Sequence, residues 1–249
     1  MNQTLLLEEL ALNAYPAYQT IYYDGWILRF TDGFTRRANS IQPLYKSTLP
    51  VDEKISYCEA LYASRGLRTV FKLTDVQHPT SLEAALEKRG YKVEGETHIQ
   101  TASLDAAPAP SGDAWAVLDT YMTPIWLDEF TRLRPLLAED RDTFTRLQLQ
   151  IAPRCGYVRL VVDGITTGLA MGVIERGWLG IYDVIVNPTR RGQGYGRQTM
   201  LYLMAWGSAQ GASHAYLQVM AKNTTALQLY SGLGFQTAYS YWYRQKNAF

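Results

Sequence analysis

The stretch that decides the fold is Arg190-Arg191-Gly192-Gln193-Gly194-Tyr195-Gly196-Arg197. An apolar, strand-like run, Ile181 to Val186, and a turn at Pro188 precede it. A helical pattern from Gln198 to Ala209 follows. Glycines at alternate positions let the backbone bend tightly and aim successive N–H groups into one concavity. At a helix N-terminus the unpaired N–H groups and the macrodipole both favour an anion. Arginine matches phosphate geometry, and three arginines stand in this run. The stretch reads as a strand–loop–helix pyrophosphate site. A plain glycine turn is the alternative.

The loop has the spacing R-x-x-G-x-G at Arg191, Gly194 and Gly196. It lacks the Gly-Lys-Ser/Thr ending of a nucleoside-triphosphatase loop. A dinucleotide site needs an acidic residue about 20 positions on for the ribose. Between Arg197 and Gln218 there is no Asp or Glu. A strand follows from His214 to Met220. Then comes Asn223-Thr-Thr-Ala226-Leu-Gln-Leu-Tyr230-Ser-Gly-Leu-Gly234-Phe235, and aromatic strands to Arg244.

With both motifs in this order, the chain from Trp115 to Arg244 resembles the GNAT superfamily of acyl-CoA-dependent N-acyltransferases. The superfamily's loop pattern falls on Arg191, Gly194 and Gly196. Its N-x-x-A-x-x-x-Y-x-x-x-G-F pattern falls on Asn223, Ala226, Tyr230, Gly234 and Phe235. The resemblance implies acetyl-CoA as co-substrate and no metal. It implies that Val184, Ile185 and Val186 pair with the pantetheine arm. The N–H groups of Arg191, Gly192, Gln193, Gly194, Tyr195, Gly196 and Arg197 would hold the pyrophosphate. Asn223 would contact the arm or adjacent backbone, and Tyr230 would protonate the departing thiolate. A phenol suits that role, because its reference pKa near 10 stands close to the thiol's near 8.5. The attacking amine must be neutral, yet its reference pKa is near 10.4. Some relatives place a Glu where this chain has Gln218, which cannot act as a base. Asp183 is the candidate for amine binding or water-relayed base work.

Each residue has a second reading. Tyr230 also fits a helix-face core aromatic, Asn223 a helix cap, and Asp183 a structural hydrogen-bond partner. Arg190 and Arg197 also fit solvated surface charges, and His214 an exposed or satisfied histidine.

The first half is a worn copy of the second. At a shift of 145 residues, Pro43, Tyr57, Gly66 and Phe71 fall on Pro188, Tyr202, Gly211 and Tyr216. At a shift of 144, Gly90-Tyr91 falls on Gly234-Phe235. The order of elements agrees: a helix over Asp52–Ser64, a strand over Thr69–Leu73, a helix over Thr80–Arg89, strands over Tyr91–Thr101. The glycine loop falls on Lys46-Ser-Thr-Leu-Pro50-Val51, Asn223 on Pro79 and Tyr230 on Leu86. Pro50 also removes a donor. The first half is therefore not expected to bind acyl-CoA in the same way. Its Asp24-Gly-Trp26-Ile-Leu-Arg29-Phe and Phe34-Thr-Arg36-Arg37-Ala-Asn39-Ser40 either line a polar pocket or decorate a hairpin around Thr31-Asp32-Gly33. The arrangement resembles mycothiol synthase-like and other two-domain GNAT proteins.

The expected fold is α/β with a mixed, mostly antiparallel sheet flanked by helices. It falls into a degenerate domain over 1–104, a Pro/Ala/Gly-rich linker over 105–112 and a catalytic domain over 113–249. In the second half, helices are expected over Thr123–Leu137 and Asp140–Ile151. A hairpin is expected over Tyr157–Val162 and Ile165–Ile174. Trp126, Asp128 and Glu129 are either acceptor contacts or an ordinary exposed helix face. The alternating tyrosines of Tyr239-Ser-Tyr241-Trp242-Tyr243-Arg244 read as a half-buried sheet, an acceptor cleft or an oligomer contact, a homodimer in the last case.

Bulk properties exclude several classes. With 24 basic and 23 acidic residues the net charge is +1, and no basic run points to nucleic acid or an anionic membrane. Cys58 and Cys155 make no disulfide framework, which fits a reducing, cytoplasmic setting. Leu5-Leu6-Leu7 followed by Glu8-Glu9 is too short and acidic for a signal peptide, and no 18-residue apolar run exists. The expected activity is direct acetyl transfer to a primary amine, most simply a small molecule. No nucleophilic Cys arrangement suggests a covalent acyl-enzyme. The alternatives are an acyl-CoA-binding sensor or assembly protein without catalysis, and transfer to a protein N-terminus or lysine.

Overall fold

The computed structural model describes residues 2–105, 108–110 and 115–246. Part of the proposed linker, residues 106–107 and 111–112, lies outside the described residues, as do 113–114. The chain forms two compact units. One runs to His98 and takes in the segment from Tyr239 onward, and the other is Ile99–Ala238.

The first unit holds helix α1 (Gln3–Ala14), strands β1 (Gln19–Tyr23), β2 (Trp26–Phe30) and β3 (Ile41–Gln42), helix α2 (Val51–Ala63), strand β4 (Val70–Leu73) and helix α3 (Leu82–Lys88). It also holds the start of β5 (Lys92–Ser103) and the end of the last strand, Gln236–Gln245. That last strand pairs antiparallel with β4, Trp242 opposite Leu73 and Arg244 opposite Phe71. The sequence reading placed residues 239–249 with the second half. One face of the sheet carries an apolar core of Trp26, Leu28, Phe71, Leu73, Leu86 and Tyr91. Tyr239, Tyr241 and Tyr243 are all buried within this unit, the half-buried-sheet reading of that strand.

The structure adds one helix and corrects one local reading. Helix α1 went unread; Asn2 caps it by accepting the Thr4 N–H at 2.8 Å. The first hairpin joins β1 and β2 and turns at Asp24–Gly25, with φ of 42° and 81°, rather than at Asp32–Gly33. A Cβ on Gly25 would lie 2.2 Å from the carbonyl of Lys46, so glycine is required there. Asp32–Gly33 is a turn as well, but it opens the stretch between β2 and β3. There the Asn39 side chain accepts from the Thr31 and Gly33 N–H groups and donates to the Thr31 and Thr35 carbonyls. Arg29, buried, donates to the carbonyls of Arg37 and Leu12. Arg29 and Asn39 thus hold the backbone in place.

The second unit holds β6 (Trp115–Asp119), α4 (Pro124–Leu133), α5 (Ala138–Leu149), β7 (Arg154–Val162), β8 (Ile165–Glu175), β9 (Trp178–Val186), α6 (Tyr195–Ala209), β10 (His214–Met220) and α7 (Thr224–Ser231). It also takes the end of β5 and the start of β11 (Gln236–Gln245). Its strand order is β11-β5-β10-β9-β8-β7-β6. Strands β6 to β9 pair antiparallel, and β9 and β10 pair parallel around α6. The first unit repeats that parallel pair with β3 and β4 around α2. A mixed, mostly antiparallel sheet with flanking helices is what the sequence led us to expect. Leu179, Ile181, Met200, Leu203 and Leu217 make the core beneath α6. Trp126, Phe130, Phe144 and Tyr157 make an aromatic layer, with Phe130 and Phe144 stacked at 4.5 Å. No helix among the described residues is long and apolar enough to cross a membrane.

Candidate active site at the opening between two parallel strands

Strands β9 and β10 pair from Trp178–His214 to Ile181–Leu217, and there the ladder stops. Both strands run on, to Val186 and Met220. The cause lies on the far edge of β9. Its pairing with β8 steps from Tyr182–Met171 to Ile185–Leu169, so Asp183 and Val184 oppose the single residue Ala170. This is a β-bulge, which bends the strand and sharpens its twist. Asp183 takes the left-handed φ of 50° that such a bend needs. The strand turns away from its parallel neighbour and a V opens. Leu179 to Tyr182 are buried, whereas Asp183, Val184, Ile185 and Val186 are half-exposed. An extended chain laid into this V would meet the backbone groups of Val184 to Val186.

The glycine loop closes the end of the V. Asn187 pins its start: its Oδ1 accepts the Thr189 N–H and hydroxyl, and its Nδ2 donates to the Thr166 carbonyl at 3.0 Å. A short 3-10 turn, Pro188–Arg190, follows. Gly192 and Gly194 have φ of 76° and 82°, and a Cβ on either would touch nothing within 4 Å. Glycine is therefore needed for the left-handed backbone, and the space beside it is open. Gly194 caps α6, whose first-turn N–H groups, from Tyr195, Gly196 and Arg197, have no intrahelical acceptor. Gly196 serves packing instead. A Cβ there would press on Val186 at 3.1 Å and Leu229 at 3.3 Å, so the helix start seats against the end of β9. Arg191, Gly192, Gln193 and Gly194 are exposed. Arg190, Arg191 and Arg197 make no ion pair among the described residues. An open, donor-rich, cationic cradle beside an open strand edge fits the diphosphate and amide-bearing arm of an acyl-CoA.

Asn223 caps α7, its Oδ1 accepting the Ala226 N–H at 3.2 Å. Tyr230, the penultimate residue of α7, is buried in the core cluster and contacts Phe235. Burial pushes its phenol up to about 12. Its hydroxyl makes no hydrogen bond among the described residues. Asp183 has a sheltered side chain, and its Oδ1 lies 3.5 Å from the Nη1 of Arg134, just past α4.

Other candidates take structural places. Trp126 is buried, donating from Nε1 to the Val158 carbonyl at 3.0 Å. Asp128 pairs with Arg141 and Glu129 with Arg132, which together with Thr166 holds the Glu129 carboxyl below its usual range. His214 stacks on Trp178 at 4.8 Å and meets the Ser213 hydroxyl. Sequence reasoning missed the bulge, Arg134 and the buried Tyr182–Tyr216 hydroxyl pair at 2.7 Å. The apolar run into Asp183-Val-Ile-Val carries no signal for a register shift, and Arg134 reaches Asp183 only through tertiary structure. No cluster of His, Cys, Asp and Glu suited to a metal occurs among the described residues.

The matching loop of the first unit is filled from within. The Asp24 carboxylate accepts the N–H groups of Thr48 and Leu49 and the Thr48 hydroxyl, just ahead of α2, and pairs with the buried Lys54 at 3.0 Å.

Known proteins share this architecture. The chain is similar to the "Uncharacterized N-acetyltransferase YobR" of Bacillus subtilis, 27% identical across 99% of this chain and 100% of that one. It is 27% identical to the "Probable histone acetyltransferase Rv0428c" of Mycobacterium tuberculosis, over 92% of this chain and 70% of that protein. Among solved structures, a GCN5-related N-acetyltransferase from Kribbella flavida has a TM-score of 0.75 at 13% identity, covering 100% of this chain and 97% of that one. A tandem GNAT protein from the clavulanic acid biosynthesis pathway has a TM-score of 0.66 at 12% identity, covering 98% and 88%. The family described as "Probable histone acetyltransferase Rv0428c C-terminal" matches residues 3–244, so this chain belongs to that family of acetyltransferases, and its fold is that of the tandem GNAT protein.

Proposed function

We infer that the protein transfers acetyl from acetyl-CoA to a primary amine of a small molecule by direct attack. The observation that carries this reading is the V between β9 and β10 ending in the left-handed glycine loop. In this reading the N–H groups from Arg191 to Arg197 hold the pyrophosphate, with Arg191 and Arg197 adding charge. Val184, Ile185 and Val186 pair with the pantetheine arm, and Asn223 contacts it with the amide its cap leaves over. A backbone N–H of the bulged strand donates to the thioester oxygen, where negative charge develops.

Tyr230 is the acid. With its phenol near 12 it stays protonated throughout the neutral range, as a donor must before the thiolate leaves. Outright transfer to a sulfur of reference pKa near 8.5 is uphill from there. Much of its effect is then the hydrogen bond it donates to the forming thiolate. Asp183 draws the amine in and relays its proton to water. The name of the mycobacterial relative supports a second reading, with a protein lysine as acceptor.

A thermal melt with acetyl-CoA tests the first step. At a hundredfold excess over the dissociation constant, linkage contributes about 2.7 kcal/mol. In a chain of this size that is a rise of roughly 5–10 °C. Thiol release with an amine panel, beside histone peptides followed by mass, then separates the two acceptors. No rise at millimolar acetyl-CoA would overturn the reading.

A further inference from the structure

Beside the fork of the V, two residues past the last β9–β10 pair, two opposite charges stand side by side. Asp183 stands at the bulge, next to Val184 in sequence, and its side chain is only 5% exposed. Arg134 follows the last turn of α4, and its side chain is 60% exposed. Their Oδ1 and Nη1 lie 3.5 Å apart. An amine without a second charge approaches as an ammonium, since its reference pKa is near 10.4. It would find the Asp183 carboxylate already neutralised and would meet the like charge of the guanidinium. An amine with a carboxylate on the adjacent carbon brings both signs at once. Its ammonium takes the place of the guanidinium at Asp183, while its carboxylate takes the planar fork of Arg134, a bidentate match that an ammonium side chain would not offer. The exposed Arg134 is free to swing with the incoming ligand, and the net charge of the site stays the same.

Resting on the acetyltransferase reading above, we propose that the acceptor is an α-aminocarboxylate, with Asp183 receiving its ammonium and Arg134 its carboxylate. The amine nitrogen bonds to the acetyl carbon as the carbon–sulfur bond breaks. The ammonium gives up two protons in all. One ends on the CoA sulfur by way of Tyr230, and the other passes to water at Asp183. Arg134 takes no part in these transfers and acts as a specificity residue.

The test is thiol release by the full chain with acetyl-CoA and three matched pairs: alanine, lysine and phenylalanine, each against its own amide. The amide removes only the negative charge and leaves a less basic, more readily deprotonated amine, a bias against the expected result. The expected result is a kcat/KM at least tenfold higher for the acids. Arg134→Gln is expected to raise KM for the acids about tenfold and to lower it for the amides, which then meet the Asp183 carboxylate without the like charge of the guanidinium. Its exposed position keeps the fold intact, which an unchanged acetyl-CoA affinity by calorimetry would verify. Turnover that favours the amides, or an Arg134→Gln loss equal in both series, overturns this acceptor class and leaves the acetyltransferase reading standing. No thiol release together with no acetyl-CoA binding overturns both.

Discussion

The carboxylate of Asp24 accepts the backbone N–H of Leu49 at 2.9 Å, one residue ahead of Pro50 at the start of α2. In the second unit the equivalent backbone is the glycine loop ahead of α6. One unit carries its own anion where the other keeps the place open. The hydrogen bonds from Leu49 and Thr48 hold the Asp24 carboxyl well below the usual carboxylate range.

Asp24→Asn is therefore expected to lower Tm by a few degrees at pH 7. The pH dependence has a definite sign. A folded pKa depressed below the unfolded value near 3.9 gives stability that is present above about pH 4 and lost as pH falls further. The gap between wild type and Asp24→Asn should narrow as melts are run from pH 7 down to pH 3. A gap that stays constant would remove the carboxylate charge from the account.

Gly194→Val places a branched residue in a left-handed conformation, at a cost of roughly 1–2 kcal/mol, with no clash to force a wider collapse. The variant should fold, yet acetyl-CoA affinity should fall at least tenfold as the loop relaxes away from the cradle. Calorimetric titration measures it, and wild-type affinity would contradict the loop assignment.

Tyr230→Phe keeps the aromatic packing against Phe235 and removes the donor. Turnover should drop by about 10²-fold or more with acetyl-CoA affinity nearly unchanged. Because burial places the phenol near 12, the wild-type rate should show no alkaline limb from this residue up to about pH 10. Unchanged turnover in the variant would take Tyr230 out of the acid role.

Lys72 and Glu8 form an ion pair inside the first unit, and the Tyr239 hydroxyl donates to the same carboxylate at 2.8 Å. Lys72→Met strands a fully buried carboxylate and should cost about 3–5 kcal/mol. Adding Glu8→Gln should recover much of that loss. Denaturant melts of the single and double variants measure the coupling, and additive losses would show that the charges do not interact.

The motifs were legible because their physics is local. The glycine loop, the Asn223 cap and the boundaries of β9 and β10 follow from residues within a few positions of one another. The bulge was not, since Val, Ile and Asp in a strand give no sign of which residue will lack a partner. Arg134 was invisible for a related reason: a charged residue after a helix looks solvated until the fold brings a carboxylate to it. In the first half, Asp24-Gly25 and Asp32-Gly33 are equal turn signals in sequence. Only the register of β1 on β2, with Tyr23 opposite Trp26, shows which one turns the hairpin.

The end of β11 lies in the first unit, between β4 and β5. During synthesis, the residues that complete this unit's sheet leave the ribosome only after the whole second unit. The nascent first unit must wait with an unfilled slot, its edge hydrogen bonds open, while the whole second unit is being made. The part made first therefore cannot complete its sheet before the second unit is synthesised. Its closing contacts are among the most distant in sequence that the chain makes, Tyr239 to Glu8 and Gln245 to Arg36, which predicts slow, late completion.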